Sequence, residues 1–124
     1  MKVLIVDDSR VLRTHLGIMM RAMGWQTDEA ENGVQALERL HADRSYELVL
    51  MDVNMPEMDG IECVRRLRSE IPELTTKLMM VTTEADFRLI ANMLGNGVDE
   101  FLIKPFTRDN LRAKLQLMSL SVRA

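Results

Sequence analysis

Four short apolar runs, Val3–Val6, Leu48–Met51, Leu78–Val81 and Phe101–Ile103, constrain this chain more than any other feature. Each has the length of a strand, and none alternates with polar residues. A strand in a half-solvated sheet alternates inside and outside residues. A continuous apolar run therefore marks a strand covered on both faces, as in a parallel sheet packed between helices. Gln26–Ala30 reads as a fifth, more polar strand, suited to a sheet edge.

Between these runs the apolar spacing becomes helical. Leu12, Leu16, Met19 and Met23 step by three or four residues and mark a first helix. Val34, Leu37 and Leu40 mark a second, and Val64, Leu67 and Ile71 a third. Leu89, Ile90, Met93 and Leu94 mark a fourth, closed by Gly95 or Gly97. Leu111, Leu115 and Met118 mark a fifth, opened by Thr107 as N-cap. Strand and helix alternate through the chain, so the economical fold is α/β: a doubly wound, five-stranded parallel sheet with helices on both faces. Met19, Met20, Met23, Met79, Met80 and Met93 fall in apolar faces or runs and are expected to fill the core.

At 124 residues the chain is long enough for one self-sufficient domain, and the expectation is a single domain, 1–124, with no second domain after the last helix. Its single cysteine, Cys63, excludes an internal disulfide and a cysteine-based zinc site. Cys63, His15 and His41 read as packing or ordinary helix residues. The apolar runs stop far short of the ~18 residues of a membrane helix, and Asp7 and Asp8 cut off any signal-peptide core. A net charge of -3 gives no basic footprint for nucleic acid. A cytoplasmic protein, engaging neither membrane nor nucleic acid, is the expectation.

In open parallel sheets, ligands gather at the carboxyl ends of the strands. The residues that follow the apolar runs are Asp7 and Asp8, Asp52, Thr82 and Thr83, and Lys104 and Pro105. Singly, each has an ordinary explanation: Asp8 or Ser9 can cap the first helix, and Thr82 can turn the chain toward the fourth. Together they form an oxygen-rich cluster with a facing cation. Crowded carboxylates repel unless a cation is present, and oxygen ligands suit Mg²⁺ better than zinc. Acids, a hard metal, a lysine and a hydroxyl are the parts that stabilise a phosphoryl group in transfer, and aspartate can itself be the nucleophile. No G-x-x-x-x-G-K-[ST] loop is present, and Gly95-Asn96-Gly97 has Glu100 where a dinucleotide fingerprint needs its third glycine.

The motifs Val6-Asp7-Asp8-Ser9, Met51-Asp52-Val53-Asn54-Met55-Pro56-Glu57-Met58-Asp59-Gly60, Val81-Thr82-Thr83-Glu84-Ala85 and Ile103-Lys104-Pro105-Phe106 occur in this order. In this the chain resembles, over essentially its full length, the receiver domains of two-component response regulators, and most closely the stand-alone CheY-like members. The resemblance implies strand order 2-1-3-4-5 and phosphorylation of Asp52 by a histidine kinase, a histidine phosphotransfer protein or a small phosphodonor. It implies Mg²⁺ held by Asp8, Asp52 and the backbone carbonyl of Asn54, with Asp7 acting through water. Lys104, before a cis bond to Pro105, would pair with the phosphoryl oxygens, and Thr82 would hydrogen-bond them. Asn54 and Glu84 match the positions that tune hydrolysis, implying a short-lived phosphoryl aspartate that the protein itself forms and removes.

Thr82 and Phe101 match the switch pair, with Phe101 where CheY-like proteins carry tyrosine, and Thr83 stands where a smaller residue is frequent. The implied output is protein binding on the face of the fourth helix, fifth strand and fifth helix, as in chemotaxis or another phosphorelay. Two other classes remain open: an aspartate-nucleophile phosphatase or phosphotransferase on small molecules, and an interaction module that is never phosphorylated. The first usually carries an Asp-x-Asp pair, which Asp52-Val53-Asn54 lacks.

Overall fold

Five strands and five helices alternate along the chain in a computed structural model that describes residues 1–83 and 86–120. The strands are β1 (Lys2–Val6), β2 (Gln26–Ala30), β3 (Leu48–Asp52), β4 (Lys77–Thr82) and β5 (Glu100–Ile103). The helices are α1 (Arg10–Ala22), α2 (Gly33–Ala42), α3 (Gly60–Glu70), α4 (Phe87–Gly95) and α5 (Arg108–Leu117). All pairings are parallel and the order is β2-β1-β3-β4-β5, as the resemblance implied.

The apolar runs are buried because the sheet is covered twice. Leu4, Val6, Val49, Met51, Leu78 and Met80 face one core, shared with Leu37 and Leu40 of α2, Val64 and Leu67 of α3 and Met93 of α4. Val3, Ile5, Leu48, Leu50, Met79 and Val81 face the other, shared with Leu16 and Met20 of α1 and Leu111 and Leu115 of α5. Strand side chains point alternately to opposite faces, so a run with no polar residue feeds both cores. The six methionines expected inside are all buried. β2, at the edge, needs only one covered face, and its sequence QTDEA is correspondingly polar.

Helix starts follow side-chain chemistry. Ser9, Asn32, Asp59 and Asp86 each accept a backbone N–H three residues on, and Thr107 and Asn110 cap each other reciprocally. Ser9, not Asp8, caps α1, which leaves the Asp8 carboxylate for other use. Thr82 ends β4, and the cap of α4 is Asp86.

α4 departs from its expected apolar face. Only Met93 is fully buried, Leu89 and Ile90 are half-buried, and Leu94 is 55% exposed. Val34 of α2 is likewise open to solvent. α4 ends at Gly95 with Asn96 as its C-cap, and Gly97 takes the left-handed φ of 96° that turns the chain into β5. Among the described residues no helix is long and apolar enough to cross a membrane.

Candidate functional site

Register places the acids. Val6 lies opposite Met51, and Asp52 lies opposite Val81, so β1, β3 and β4 end at the same level. Asp7 and Asp8 leave β1 beside the point where Asp52 closes β3. Carboxylate oxygens of Asp7, Asp8 and Asp52 lie within 4.8 Å of one another, and no other cluster of this kind occurs among the described residues. Asp7 and Asp52 are buried while Asp8 is exposed, which makes a pocket with two dry walls and one wet rim.

Lys104 faces this pocket. Thr82 pairs with Ile103 across β4 and β5, so Lys104 follows directly, and its N–H donates to the Thr82 carbonyl at 2.7 Å. Its side chain brings Nζ to 3.4 Å from Asp52 Oδ1 and 3.7 Å from Asp7 Oδ2. The Lys104–Pro105 bond is cis, as the resemblance implied. Thr82 is buried at the end of β4.

The electrostatics favour a further cation. Burial pushes the Asp52 carboxyl above its ordinary range, with Lys104 and the Asn54 N–H pulling it back and Asp8 adding repulsion. Asp7 is raised by the same burial, opposed by the Ser9 N–H and reinforced by the charge of Asp52. One lysine therefore does not cancel three clustered acids, two of them buried. A divalent ion would remove that strain, and an all-oxygen donor set is the right chemistry for Mg²⁺. The residues present fit the metal.

The remaining predicted positions divide. Asn54 is exposed in the β3–α3 loop, two residues from Asp52. Phe101 is half-buried on β5, with Lys114 Nζ 4.7 Å from its ring centre, so the ring is held by a cation as well as by packing. Glu84 lies outside the described residues. Thr83, Leu12, His15, Lys104, Pro105 and Phe106 line a cleft of about 360 Å³. His41 pairs with Glu70 at 2.9 Å between α2 and α3, away from the acids, and Cys63 is a buried thiol pushed up to about 12. Sequence reasoning missed Arg13. It is a buried charge on α1, and its place in the stripe with Leu16 and Met20 was the available signal.

Comparison with known proteins bears directly on this arrangement. The model of the response regulator receiver domain matches residues 3–116. The chain belongs to that family.

This receiver is 35% identical over 119 residues to the chemotaxis protein CheY1 of Helicobacter pylori, covering 95% of this chain and 96% of that one. It is 36% identical over 117 residues to a chemotaxis protein CheY homolog of Campylobacter jejuni, covering 94% and 90%. Among solved structures, the Vibrio cholerae chemotaxis protein CheY4 superposes with a TM-score of 0.86 at 31% identity, covering 94% of this receiver and 96% of that chain. Receiver domains serve two-component signalling, bind Mg²⁺ and interact with histidine kinases and downstream targets as a class. This receiver carries an acidic cluster able to hold the metal.

Proposed function

We propose that this receiver is a phosphorylation-controlled switch of a two-component pathway in the cytoplasm, of the chemotaxis type named for its relatives, with Asp52 as phosphoacceptor. The observation that carries the reading is the approach of Lys104 Nζ to Asp52 and Asp7, 52 residues and more away in sequence, inside the acid cluster. An Asp52 carboxylate oxygen attacks phosphorus. The P–N bond of a phosphohistidine, on a kinase or phosphotransfer protein, breaks as the imidazole leaves and takes a proton. With an acyl phosphate donor, a P–O bond breaks and a carboxylate leaves. Hydrolysis reverses the acceptor's role: water attacks phosphorus and Asp52 departs as carboxylate.

Asp8, Asp52 and the Asn54 carbonyl would hold Mg²⁺, with Asp7 behind them. Bound there, the ion supplies charge neutralisation for the phosphoryl oxygens. Lys104 contributes a positive charge already facing the pocket when the donor arrives, and the Thr82 hydroxyl donates to an oxygen of the new group. Asn54 and Glu84 match the positions that tune hydrolysis in the family. Phosphorylation adds about 1.5–2 negative charges, and drawing Thr82 and Lys104 inward loosens the α4 end of β4. Phe101 then repacks, and the α4–β5–α5 face shifts between two arrangements that a protein partner distinguishes.

The test is incubation with acetyl phosphate and Mg²⁺, followed by intact mass measurement. One added phosphoryl group, decaying on removal of the donor, is the expected result. No gain with acetyl phosphate or with a cognate kinase would leave a module that is never phosphorylated, and repeated turnover of phosphorylated metabolites would point to a small-molecule phosphatase. Lys104→Ala is expected to keep Mg²⁺ binding while cutting the switched-to-unswitched ratio of the phosphorylated form about tenfold, a loss of ~1.4 kcal/mol of coupling. Amide shifts of β5 and α5 in NMR spectra read that population. Wild-type shifts in the phosphorylated variant would remove Lys104 from the switch.

A further inference from the structure

The β1–α1 turn carries two of the three clustered acids, Asp7 and Asp8, although one is buried and the other faces water. Its backbone is tied at three points. The Asp7 N–H donates to the Ala30 carbonyl at 3.2 Å, and the Ser9 N–H donates to Asp7 Oδ1 at 2.9 Å. The third tie comes from a side chain: Arg13 Nη1 donates to the Asp7 carbonyl at 2.7 Å, in a buried contact. The same guanidinium donates from Nε to Glu29 Oε1 at 2.8 Å. Glu29 lies opposite Ile5 in the β1–β2 ladder, and Ile5 faces the α1 side, so Glu29 and Arg13 meet on one face of the sheet.

Arg13 is 8% exposed, which is unusual for a guanidinium, and its surroundings are otherwise the apolar face of α1. A buried charge is kept only where its hydrogen bonds are made. Here one partner is the carbonyl at which the β1 ladder runs out, and the other is a carboxylate on the edge strand. The planar fork spans two acceptors in different directions, which the point charge of a lysine cannot do. The Arg13 N–H also donates to the Ser9 carbonyl at 3.0 Å, so the residue grips the turn from both its backbone and its side chain.

We infer that Arg13 is a positioning residue that, braced by Glu29, fixes the β1–α1 turn so that Asp7 and Asp8 are preset for the metal. Resting on the proposed function, this adds a part that the strand-end residues do not supply. Without the guanidinium, the Asp7 carbonyl loses a charge-assisted hydrogen bond and the turn must be ordered when the ion arrives. Ordering at the moment of binding appears as weaker affinity, not as a slower reaction on the loaded site.

Mg²⁺ titration by calorimetry on Arg13→Met, Arg13→Lys and Glu29→Gln tests this. Arg13→Met is expected to bind Mg²⁺ about tenfold more weakly, the scale of one charge-assisted hydrogen bond. Arg13→Lys, which can serve one acceptor, is expected to fall about threefold. Glu29→Gln keeps the Asp7 bond and should lose less than either. The Mg²⁺ concentration giving half-maximal phosphorylation should rise by the same factors, while the rate at saturating Mg²⁺ stays within about twofold of wild type. A merely structural role would lower the melting temperature without moving the Mg²⁺ midpoint, and that outcome overturns the inference. If Arg13→Met does not fold, Arg13→Lys decides: an unchanged Mg²⁺ affinity overturns, a weaker one supports. Failure of the wild type to bind Mg²⁺ or accept phosphate sinks the functional reading and this inference with it, whereas normal wild-type behaviour with an unaltered variant sinks the inference alone.

Discussion

Asp52→Asn is expected to abolish phosphoryl incorporation and, in the metal-free protein at neutral pH, to raise stability. The first result follows from the loss of the nucleophilic oxygen. The second follows from the pocket's electrostatics. Burial holds the Asp52 carboxyl above its ordinary value of 3.8, against the pull of Lys104 and the Asn54 N–H. The folded chain thus holds this proton more tightly than the unfolded chain. An ionised Asp52 opposes folding fully above its folded-state pKa, and the opposition fades as pH falls through that value toward 3.8. Asparagine removes the charge at every pH. Its advantage should be on the order of 1–2 kcal/mol at neutral pH and should shrink toward pH 4. Mg²⁺ should invert the order, because the wild type gains binding free energy that the variant largely lacks. Thermal melts in chelator and in Mg²⁺ across this pH range measure both effects. A variant no more stable than wild type in chelator at pH 7 would contradict the account of a strained acid pocket.

Gly60→Ala is expected to be the most damaging single methyl in the chain. Gly60 opens α3 one residue after its cap, Asp59, and donates its N–H to the Val53 carbonyl at 2.8 Å. A Cβ there would collide with the Asp52 carbonyl oxygen and the Met80 methyl group. The helix start presses against the end of β3, so no flexible side chain alone can absorb the clash. The expected cost is about 3 kcal/mol, with a fall in melting temperature on the order of 10 °C. Relief can come only by moving α3 or the Asp52 backbone, so phosphorylation of the surviving folded protein should slow about tenfold or more as Asp52 is displaced from Lys104. Calorimetry and acetyl phosphate kinetics separate the two. A melting temperature within a degree or two of wild type would show that α3 shifts freely.

The sheet was legible because runs such as Leu48–Met51 contain no polar residue, and only a doubly covered strand tolerates that. The polar β2 was legible as an edge for the complementary reason. α4 was legible as a helix but not in its burial. Its apolar residues run around more than one face, and spacing alone does not show that Leu94 lies beyond the reach of the core. The acids and Lys104 could be gathered because each follows a recognisable strand, and a parallel sheet sends all strand ends the same way. Arg13 could not be assigned in this manner. Its partners are a backbone carbonyl and the exposed edge residue Glu29, and neither leaves a mark on the sequence beyond a charge at an inward helix position.

The pocket draws on the ends of β1, β3 and β5, with Thr82 of β4 beside it, so its parts span positions 7 to 104. A polypeptide that stops before β5 can gather the acids of β1 and β3 but lacks Lys104, so the complete site waits for the last strand. Chain order thus makes the cation the last component to arrive, and an unfinished copy holds the acids without their counter-charge.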